Sequence, residues 1–192
     1  MTPKPVERKR RVTADAIVRA GLGSRYTAAV LRVELRGRVA FERAYGSVDA
    51  KDGAAVLVTT RFDLASLTKV FVATALLTAV ADGNFTLDEP ASRLLPEWRG
   101  TQHESIVPRM LLAHTAGLQS GADYRTLFAE NVERFALARP LVGIPGANVV
   151  YSDLGFIALG VLFARASGTS LAHAFERFAG RVGFEATAYR PR

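Results

Sequence analysis

The chain has 192 residues, of which 49% are hydrophobic and 22% charged, a composition that suits one globular domain with an apolar core. It contains no cysteine, which excludes disulfides, thiolate catalysis and metal sites that need sulfur. The three histidines (His103, His114 and His173) are scattered and form no HExxH motif, so we expect neither a zinc site nor a cofactor.

The formal net charge of +7 is concentrated at the N-terminus. Residues 1–12 hold five basic side chains against one glutamate, and the rest of the chain has no basic stripe interleaved with aromatic residues. This pattern favours a solvated, disordered tail over an arm that binds nucleic acid. We therefore predict a disordered basic tail over residues 1–12 and a single domain over residues 13–192.

No apolar segment follows the basic N-terminal residues, which argues against a secretory signal. No run reaches the roughly 18 apolar residues that a membrane span needs. Residues 70–81 are too short for one and include Thr74 and Thr78. We expect a cytoplasmic protein that associates with neither membranes nor nucleic acid.

The first predicted elements are a short helix and a β-hairpin. Thr13 can cap a helix over residues 14–20 that ends at Gly21. Apolar and polar residues then alternate through residues 26–46, and a turn signal at Arg36-Gly37 divides them into two strands. A further short strand is predicted at residues 55–59.

The next segment, FDLASLTKVFVATALLTAVADGN (62–84), opens with a Ser-x-x-Lys pair. A spacing of three places Ser66 and Lys69 on one helix face, one turn apart. A serine hydroxyl is a weak nucleophile unless a base activates it or a cation stabilises its alkoxide. The positive end of the helix dipole, at the N-terminus, also favours the alkoxide. The alternative is that Ser66 only caps the helix. The apolar residues after Lys69 predict a buried core helix that ends near Gly83.

The remaining predicted elements are helices, each preceded by a capping residue. Within 87–98, Asp88 is the predicted cap of a short helix that breaks at Pro96 and is followed by a loop. Ser105 is the predicted cap of 106–114, Asp123 of 124–138, Ser152 of 153–167 and Ser170 of 171–180. Two early strands followed mainly by helices indicate an α+β fold. A lone hairpin is marginal in water, so the predicted sheet is incomplete.

Tyr151 directly precedes the predicted helix over residues 153–167. A phenol has a pKa near ~10, but a neighbouring lysine ammonium makes its phenolate form more accessible. A Ser/Lys/Tyr set could supply a nucleophile, an electrostatic activator and a proton shuttle. Alternatively, Tyr151 is a buried aromatic residue whose hydroxyl binds backbone.

Four motifs occur in one order: FDLASLTK (62–69), LDEPASRLLPEW (87–98), LLAHTAGL (111–118) and PGANVVYSDLGFIALG (145–160). Together they resemble the superfamily of serine β-lactamases and penicillin-binding proteins, in the branch of class C β-lactamases, DD-peptidases and family VIII esterases. The hairpin resembles the opening strands of that branch, and the resemblance covers about residues 25–190. It implies a β-lactamase/transpeptidase-like α+β fold.

The resemblance also implies roles for individual residues. Ser66 would be the acylated nucleophile and Lys69 its activating partner. Tyr151 would be the general base in acylation and the acid toward the leaving group. Asp153 would be a substrate-binding residue at a position where many members have Asn. This change replaces an amide donor with an acceptor and disfavours recognition of a β-lactam amide.

Two positions of the LLAHTAGL motif bear on the resemblance. Ala116 occupies a position where serine is usual in the family. His114 is interpreted as structural, with its imidazole bonded to backbone at a helix end.

No Lys-Thr-Gly or His-x-Gly segment follows Tyr151. In the family this strand lines the substrate cleft and adds a second oxyanion-hole donor to the Ser66 N–H, and losing one such donor costs on the order of 10²–10³ in rate. We therefore expect an N-terminal portion of a longer hydrolase, with C-terminal sheet strands missing. The open sheet edge would favour self-association.

The leading functional hypothesis is a serine hydrolase that forms an acyl-enzyme at Ser66. Its expected partners are small carboxylic esters, or amide and β-lactam-like substrates, with turnover impaired by the truncation. The alternative is a non-catalytic or degenerate domain of the same fold that binds a partner or ligand.

Overall fold

The computed structural model describes residues 14–49, 53–121, 131–184 and 187–189. These residues form two compact units, one ending at Phe62 and the other beginning at Asp63. The predicted basic tail lies outside the described residues, as do the predicted caps Thr13 and Asp123.

The first unit contains helix α1 (14–21) and two antiparallel strands, β1 (Ala28–Leu35) and β2 (Arg38–Gly46). The predicted hairpin is confirmed, with a register irregularity between Val33 and Glu34. Alternating side chains and the Arg36-Gly37 turn are sufficient to specify it, because both signals are local.

The strand predicted at residues 55–59 is wrong. Only an isolated bridge between Ser47 and Ala55 forms there. The Leu57 N–H donates to Thr60 Oγ1 at 2.9 Å, and the Thr60 N–H donates to the Leu57 carbonyl at 3.0 Å. These bonds close a local turn, so the same backbone groups are not available for a strand ladder.

The second unit is helical. Its helices are α2 (Thr68–Ala81), α3 (Pro108–Leu112), α4 (Val132–Ala138), α5 (Asp153–Ser167) and α6 (Leu171–Val182), with short 3-10 helices at Ala65–Leu67, Ala91–Arg93 and Pro96–Trp98. Helix α5 is central, since α2, α3, α4 and α6 all pack against it. Its Leu154, Leu159 and Leu162 are fully buried. The core of the second unit is therefore built around α5.

Helix α2 has the predicted bounds but not the predicted burial. It ends at Ala81, and its cap residue Asp82 is followed by Gly83 at φ +77°, as the sequence indicates. However, Val70 and Leu77 are 62% and 50% exposed, whereas Leu76 is fully buried. Because α5 and α6 are the helices that α2 packs against, its apolar residues facing elsewhere are not covered.

The predicted helix over residues 106–114 is wrong in length and in its cap. Helix α3 begins at Pro108, and the residue before it, Val107, is extended at φ −108° and ψ 156°. Proline clashes with a helical conformation at the preceding residue, so Ser105 cannot act as the cap of this helix. At the other end His114 has a left-handed backbone, φ +59°, which stops the chain from continuing as a helix.

Two other predicted helices differ from the structure. Asp88 does not cap the short helix predicted within 87–98, because its carboxylate instead binds the Arg109 guanidinium through two contacts of 2.7 Å. The segment forms two 3-10 helices instead. The helix predicted over 124–138 does not pass through Asn131, whose backbone is extended and whose side chain accepts the Arg134 N–H at 2.9 Å. A residue with its own side-chain acceptor thus starts α4.

The caps of the two C-terminal helices are confirmed. Ser152 accepts the Gly155 N–H at 3.2 Å at the start of α5, and Ser170 accepts the His173 N–H at 3.2 Å at the start of α6. Helix α5 ends at Gly168 with φ +68°. The Ser152 cap matters most for the site, because it sets the direction in which the chain enters α5.

An ion pair joins α5 to the 3-10 helix at Pro96–Trp98, and we expect it to make stability depend on pH. Arg165 holds the Glu97 carboxylate at 2.6 and 2.8 Å, and this hydrogen bonding lowers the pKa of Glu97 to about 2. The pKa is depressed in the folded chain, so the contribution is present above the unfolded value near ~4.3 and is lost as pH falls toward 2. Since both side chains are more than a third exposed, solvent screening limits it to about 1 kcal/mol.

The Glu97→Gln variant tests this expectation. Urea unfolding should show a loss of about 1 kcal/mol relative to the wild-type chain at pH 7, and the loss should shrink as the pH falls below 4. Glu89→Gln is the matched control, since Glu89 forms an exposed i,i+4 pair with Arg93. A loss that is the same at pH 3 and pH 7 would contradict a charge effect.

Within the described ranges no single helix is long and apolar enough to cross a membrane. Helices α5 and α6 together have sufficient length and apolar composition, but the chain bends by 82° between them. Among the same residues no group of three or more histidine and acidic side chains could hold a metal ion.

Candidate active site

The site is built on the entry into α2. Ser66 lies in the 3-10 helix Ala65–Leu67, and Lys69 lies in the first turn of α2. The Lys69 ammonium donates to Ser66 Oγ at 3.3 Å. The three-residue spacing therefore brings the two groups into contact, as expected from helix geometry.

Asp63 and Ala65 shape the backbone before Ser66. Ala65 has φ +45°, a left-handed conformation that is strained for a residue with a Cβ. Its N–H donates to Asp63 Oδ1 at 2.8 Å, which offsets part of that cost. Sequence reasoning missed this arrangement, since an Asp two residues before an Ala carries no distinctive signal.

Tyr151 reaches the same point from the start of α5. The Lys69 ammonium lies 4.8 Å from the centre of the Tyr151 ring. Hydrogen bonding with Lys69, and to a smaller extent with Ser66, lowers the pKa of the Tyr151 phenol below its ordinary value. Tyr151 is 46% exposed, so a substrate can reach the residue. The three side chains that the sequence singled out are thus brought together.

Asp153 contacts Lys69 directly. Its Oδ1 accepts from the Lys69 ammonium at 2.5 Å. Burial lowers the pKa of Lys69, but hydrogen bonds with Asp153 and Tyr151 outweigh it, so the net pKa is raised. Lys69 therefore stays cationic at neutral pH and is unsuited to act as a base. The structure places Asp153 as the counter-ion of the lysine.

The loop that leads to Tyr151 is held against the LLAHTAGL segment. The Gly146 N–H donates to the Thr115 carbonyl at 2.7 Å, and the Val142 N–H donates to the Gly117 carbonyl at 2.8 Å. Gly117 has φ +75°, and a Cβ there would lie 2.3 Å from the Gly143 oxygen. A glycine is therefore required at 117, both for its conformation and for the close approach of this loop.

His114 contacts the backbone on both sides of Tyr151. Its Nδ1 accepts the Ser152 N–H at 3.1 Å, and its carbonyl accepts the Val150 N–H at 2.8 Å. The expectation of an imidazole bonded to backbone is confirmed. Its ring also packs 4.4 Å from that of Tyr151, centre to centre.

Phe156 is a further site residue that sequence reasoning missed. Its ring centre lies 5.6 Å from the Lys69 ammonium and 5.2 Å from the His114 ring. It follows Asp153 by three residues on α5, a spacing that places both on one face of the helix. Periodicity around Asp153 could have identified it.

Comparison with known proteins identifies the family of this chain. A family model described as Beta-lactamase matches residues 14–192. The chain belongs to the Beta-lactamase family. Esterase EstB of Burkholderia gladioli is 36% identical over 174 residues, which cover 79% of this chain and 44% of EstB.

Two solved structures show the same fold. A class C beta lactamase matches with a TM-score of 0.79 and 25% identity, over 96% of this chain and 52% of that protein. The structure of SurE matches with a TM-score of 0.72 and 28% identity, over 93% of this chain and 39% of SurE. The chain thus spans about half the length, or less, of these three similar proteins. Its fold is β-lactamase-like and incomplete, and it corresponds to the N-terminal portion of the family.

Asp153 gives a testable link between the charge of Lys69 and the reactivity expected of Ser66. In Asp153→Asn the counter-ion of Lys69 is lost while a polar group of the same shape remains. Because Asp153 raises the pKa of Lys69, that pKa should fall, and the ammonium should be lost at lower pH. We expect the alkaline limb of the rate of covalent labelling at Ser66 to move to lower pH.

The measurement is labelling by a fluorophosphonate probe across a pH series. Asp88→Asn is the matched control, because Asp88 pairs with Arg109 and its removal leaves Lys69 and its contacts intact. An alkaline limb that stays in place in Asp153→Asn would show that the carboxylate does not control the charge of Lys69.

Proposed function

We propose that this chain carries the acylation centre of a serine hydrolase that acts on small carboxylic esters through an acyl-enzyme at Ser66. The observation that supports it is the convergence on one ammonium, that of Lys69, of the Ser66 hydroxyl, the Tyr151 phenol and the Asp153 carboxylate. A nucleophile, a base and a fixed cation within contact distance are the minimum for this chemistry.

In the proposed reaction Tyr151, as phenolate, removes the proton from Ser66 Oγ. The oxygen attacks the ester carbonyl carbon, and the carbonyl electrons move to the oxygen to form a tetrahedral oxyanion. The Ser66 N–H donates to that oxyanion. When the intermediate collapses, the C–O bond to the leaving group breaks, and the Tyr151 phenol returns its proton to the departing alkoxide.

Deacylation reverses the roles with water as the nucleophile. Tyr151 takes a proton from the water, whose oxygen attacks the acyl carbon. Ser66 Oγ leaves, recovers the proton, and a carboxylic acid is released. Lys69 remains an ammonium throughout, so it stabilises the phenolate and the serine alkoxide by charge.

Two observations favour esters as substrates. EstB, the relative with 36% identity, is named an esterase. Asp153 presents a carboxylate, which accepts hydrogen bonds but cannot donate one to the carbonyl of a β-lactam side-chain amide.

The sequence also lacks a Lys-Thr-Gly or His-x-Gly segment after Tyr151. We therefore expect slow turnover by this chain, since a second oxyanion donor contributes on the order of 10²–10³ in rate.

The second candidate is a domain that binds a ligand or partner without turnover. The lack of the third motif favours it, and the assembled Ser66, Lys69 and Tyr151 side chains oppose it. Reaction with a chemical probe distinguishes the two, because a binding domain has no need of an activated serine.

The test is incubation of the chain with a fluorophosphonate probe, followed by peptide mass spectrometry. We expect one adduct, at Ser66. Parallel assays with p-nitrophenyl acetate and nitrocefin should show a faster reaction with the ester. No adduct at Ser66, with both substrates left intact, would favour the binding domain instead.

A further inference from the structure

His114 holds the peptide around Tyr151 at three points. Its Nδ1 accepts the N–H of Ser152, its carbonyl accepts the N–H of Val150, and its ring packs against the phenol at 4.4 Å. Residues 150 and 152 flank Tyr151 in sequence, so these contacts restrain both backbone neighbours and the side chain. A change at His114 would therefore act on the position of the phenol.

The conformation of His114 is itself unusual. Its backbone is left-handed, φ +59°, and its N–H donates to the Leu111 carbonyl at 3.2 Å. This turn directs the imidazole back toward the start of α5. Asparagine tolerates the same backbone conformation, and its Oδ1 occupies a position similar to that of Nδ1. Alanine has neither property.

We propose that His114 is a positioning residue for Tyr151, and that it acts only as the neutral imidazole with its proton on Nε2. This inference rests on the proposed function, in which Tyr151 is the base. A protonated His114 would carry hydrogen on Nδ1, so it could no longer accept the Ser152 N–H.

The charged and titratable groups around the imidazole favour its neutral form. Lys69 of α2, Asp153 of α5 and the Tyr151 phenol face it. Burial lowers the pKa of His114, the Lys69 charge lowers it further, and Asp153 opposes this in part. Protonation would also place a second cation beside Lys69. Reactivity should accordingly fall as the pH drops through the pKa of His114.

The experiment compares wild-type chain, His114→Asn and His114→Ala by the rate of fluorophosphonate labelling across pH 4–9. His173→Asn is the matched control, since His173 is an exposed histidine on α6. We expect His114→Ala to label slower by on the order of 10²-fold. The labelling rate of His114→Asn should stay within about tenfold of the wild-type rate. Its pH profile should lack the acid limb, the decrease in rate at low pH that protonation of His114 causes.

A second readout does not depend on the reaction. Phenolate absorbance is titrated in each protein, and the Tyr151→Phe spectrum is subtracted to isolate Tyr151. In His114→Ala the pKa of Tyr151 should rise toward its ordinary value, because the phenol is no longer held beside Lys69. Circular dichroism and thermal unfolding verify that each variant is folded.

If folded His114→Ala labels at the wild-type rate and with the wild-type pH profile, His114 does not position Tyr151. An unchanged acid limb in His114→Asn would overturn the requirement for neutral imidazole. If the wild-type chain itself fails to label, the proposed function fails, whereas the Tyr151 titration still decides whether His114 holds the phenol.

Discussion

Replacing Ser66 with alanine is expected to remove covalent labelling completely and to reduce ester hydrolysis by at least about 10³-fold. Ser66 Oγ is the only protein atom that bonds to the acyl carbon in the proposed reaction, and neither Lys69 nor Tyr151 can replace it there. The contact from the Lys69 ammonium at 3.3 Å is lost with it. Intact-mass spectrometry after incubation with the probe measures labelling, and p-nitrophenol release measures turnover.

The matched control for this variant is Ser105→Ala. Ser105 is exposed, and a cap role predicted for it is absent from the structure. This variant should label and turn over like the wild-type chain. Labelling that persists in Ser66→Ala, or that maps to another serine, would show that the nucleophile has been assigned wrongly.

Replacing Lys69 with methionine should be almost as damaging, with labelling slower by about 10³-fold or more. Methionine keeps an unbranched side chain of similar length but removes the charge that contacts Ser66, Tyr151 and Asp153. Hydrogen bonding with Lys69 is the largest influence that lowers the pKa of Tyr151, so this pKa should rise. The residual labelling rate should then keep increasing up to a more alkaline pH than it does in the wild-type chain.

Labelling rates across pH, together with phenolate absorbance, measure both effects. Lys69→Arg is the informative companion variant. It keeps the cation but presents a planar guanidinium, so we expect the low pKa of Tyr151 to be partly retained. If Lys69→Met labels at the wild-type rate, the ammonium does not activate Ser66, and the electrostatic part of the mechanism is wrong.

Local patterns in the sequence were sufficient for much of the fold. The hairpin, the bounds of α2, and the Ser152 and Ser170 caps all depend on residues within a few positions of one another. Local patterns failed where another residue displaced a predicted cap. Pro108 moved the start of α3, and Arg109 bound the carboxylate of Asp88.

For the site, the sequence by itself determined that Ser66 and Lys69 share a helix face, because helical periodicity is a property of the backbone. Only the tertiary structure decided that Asp153, 84 residues away, is the counter-ion of Lys69. It also decided that the Ser152 N–H, 38 residues from His114, binds that imidazole. Such contacts depend on how α2, α3 and α5 pack, and packing is set by the burial of many apolar side chains together rather than by any short motif.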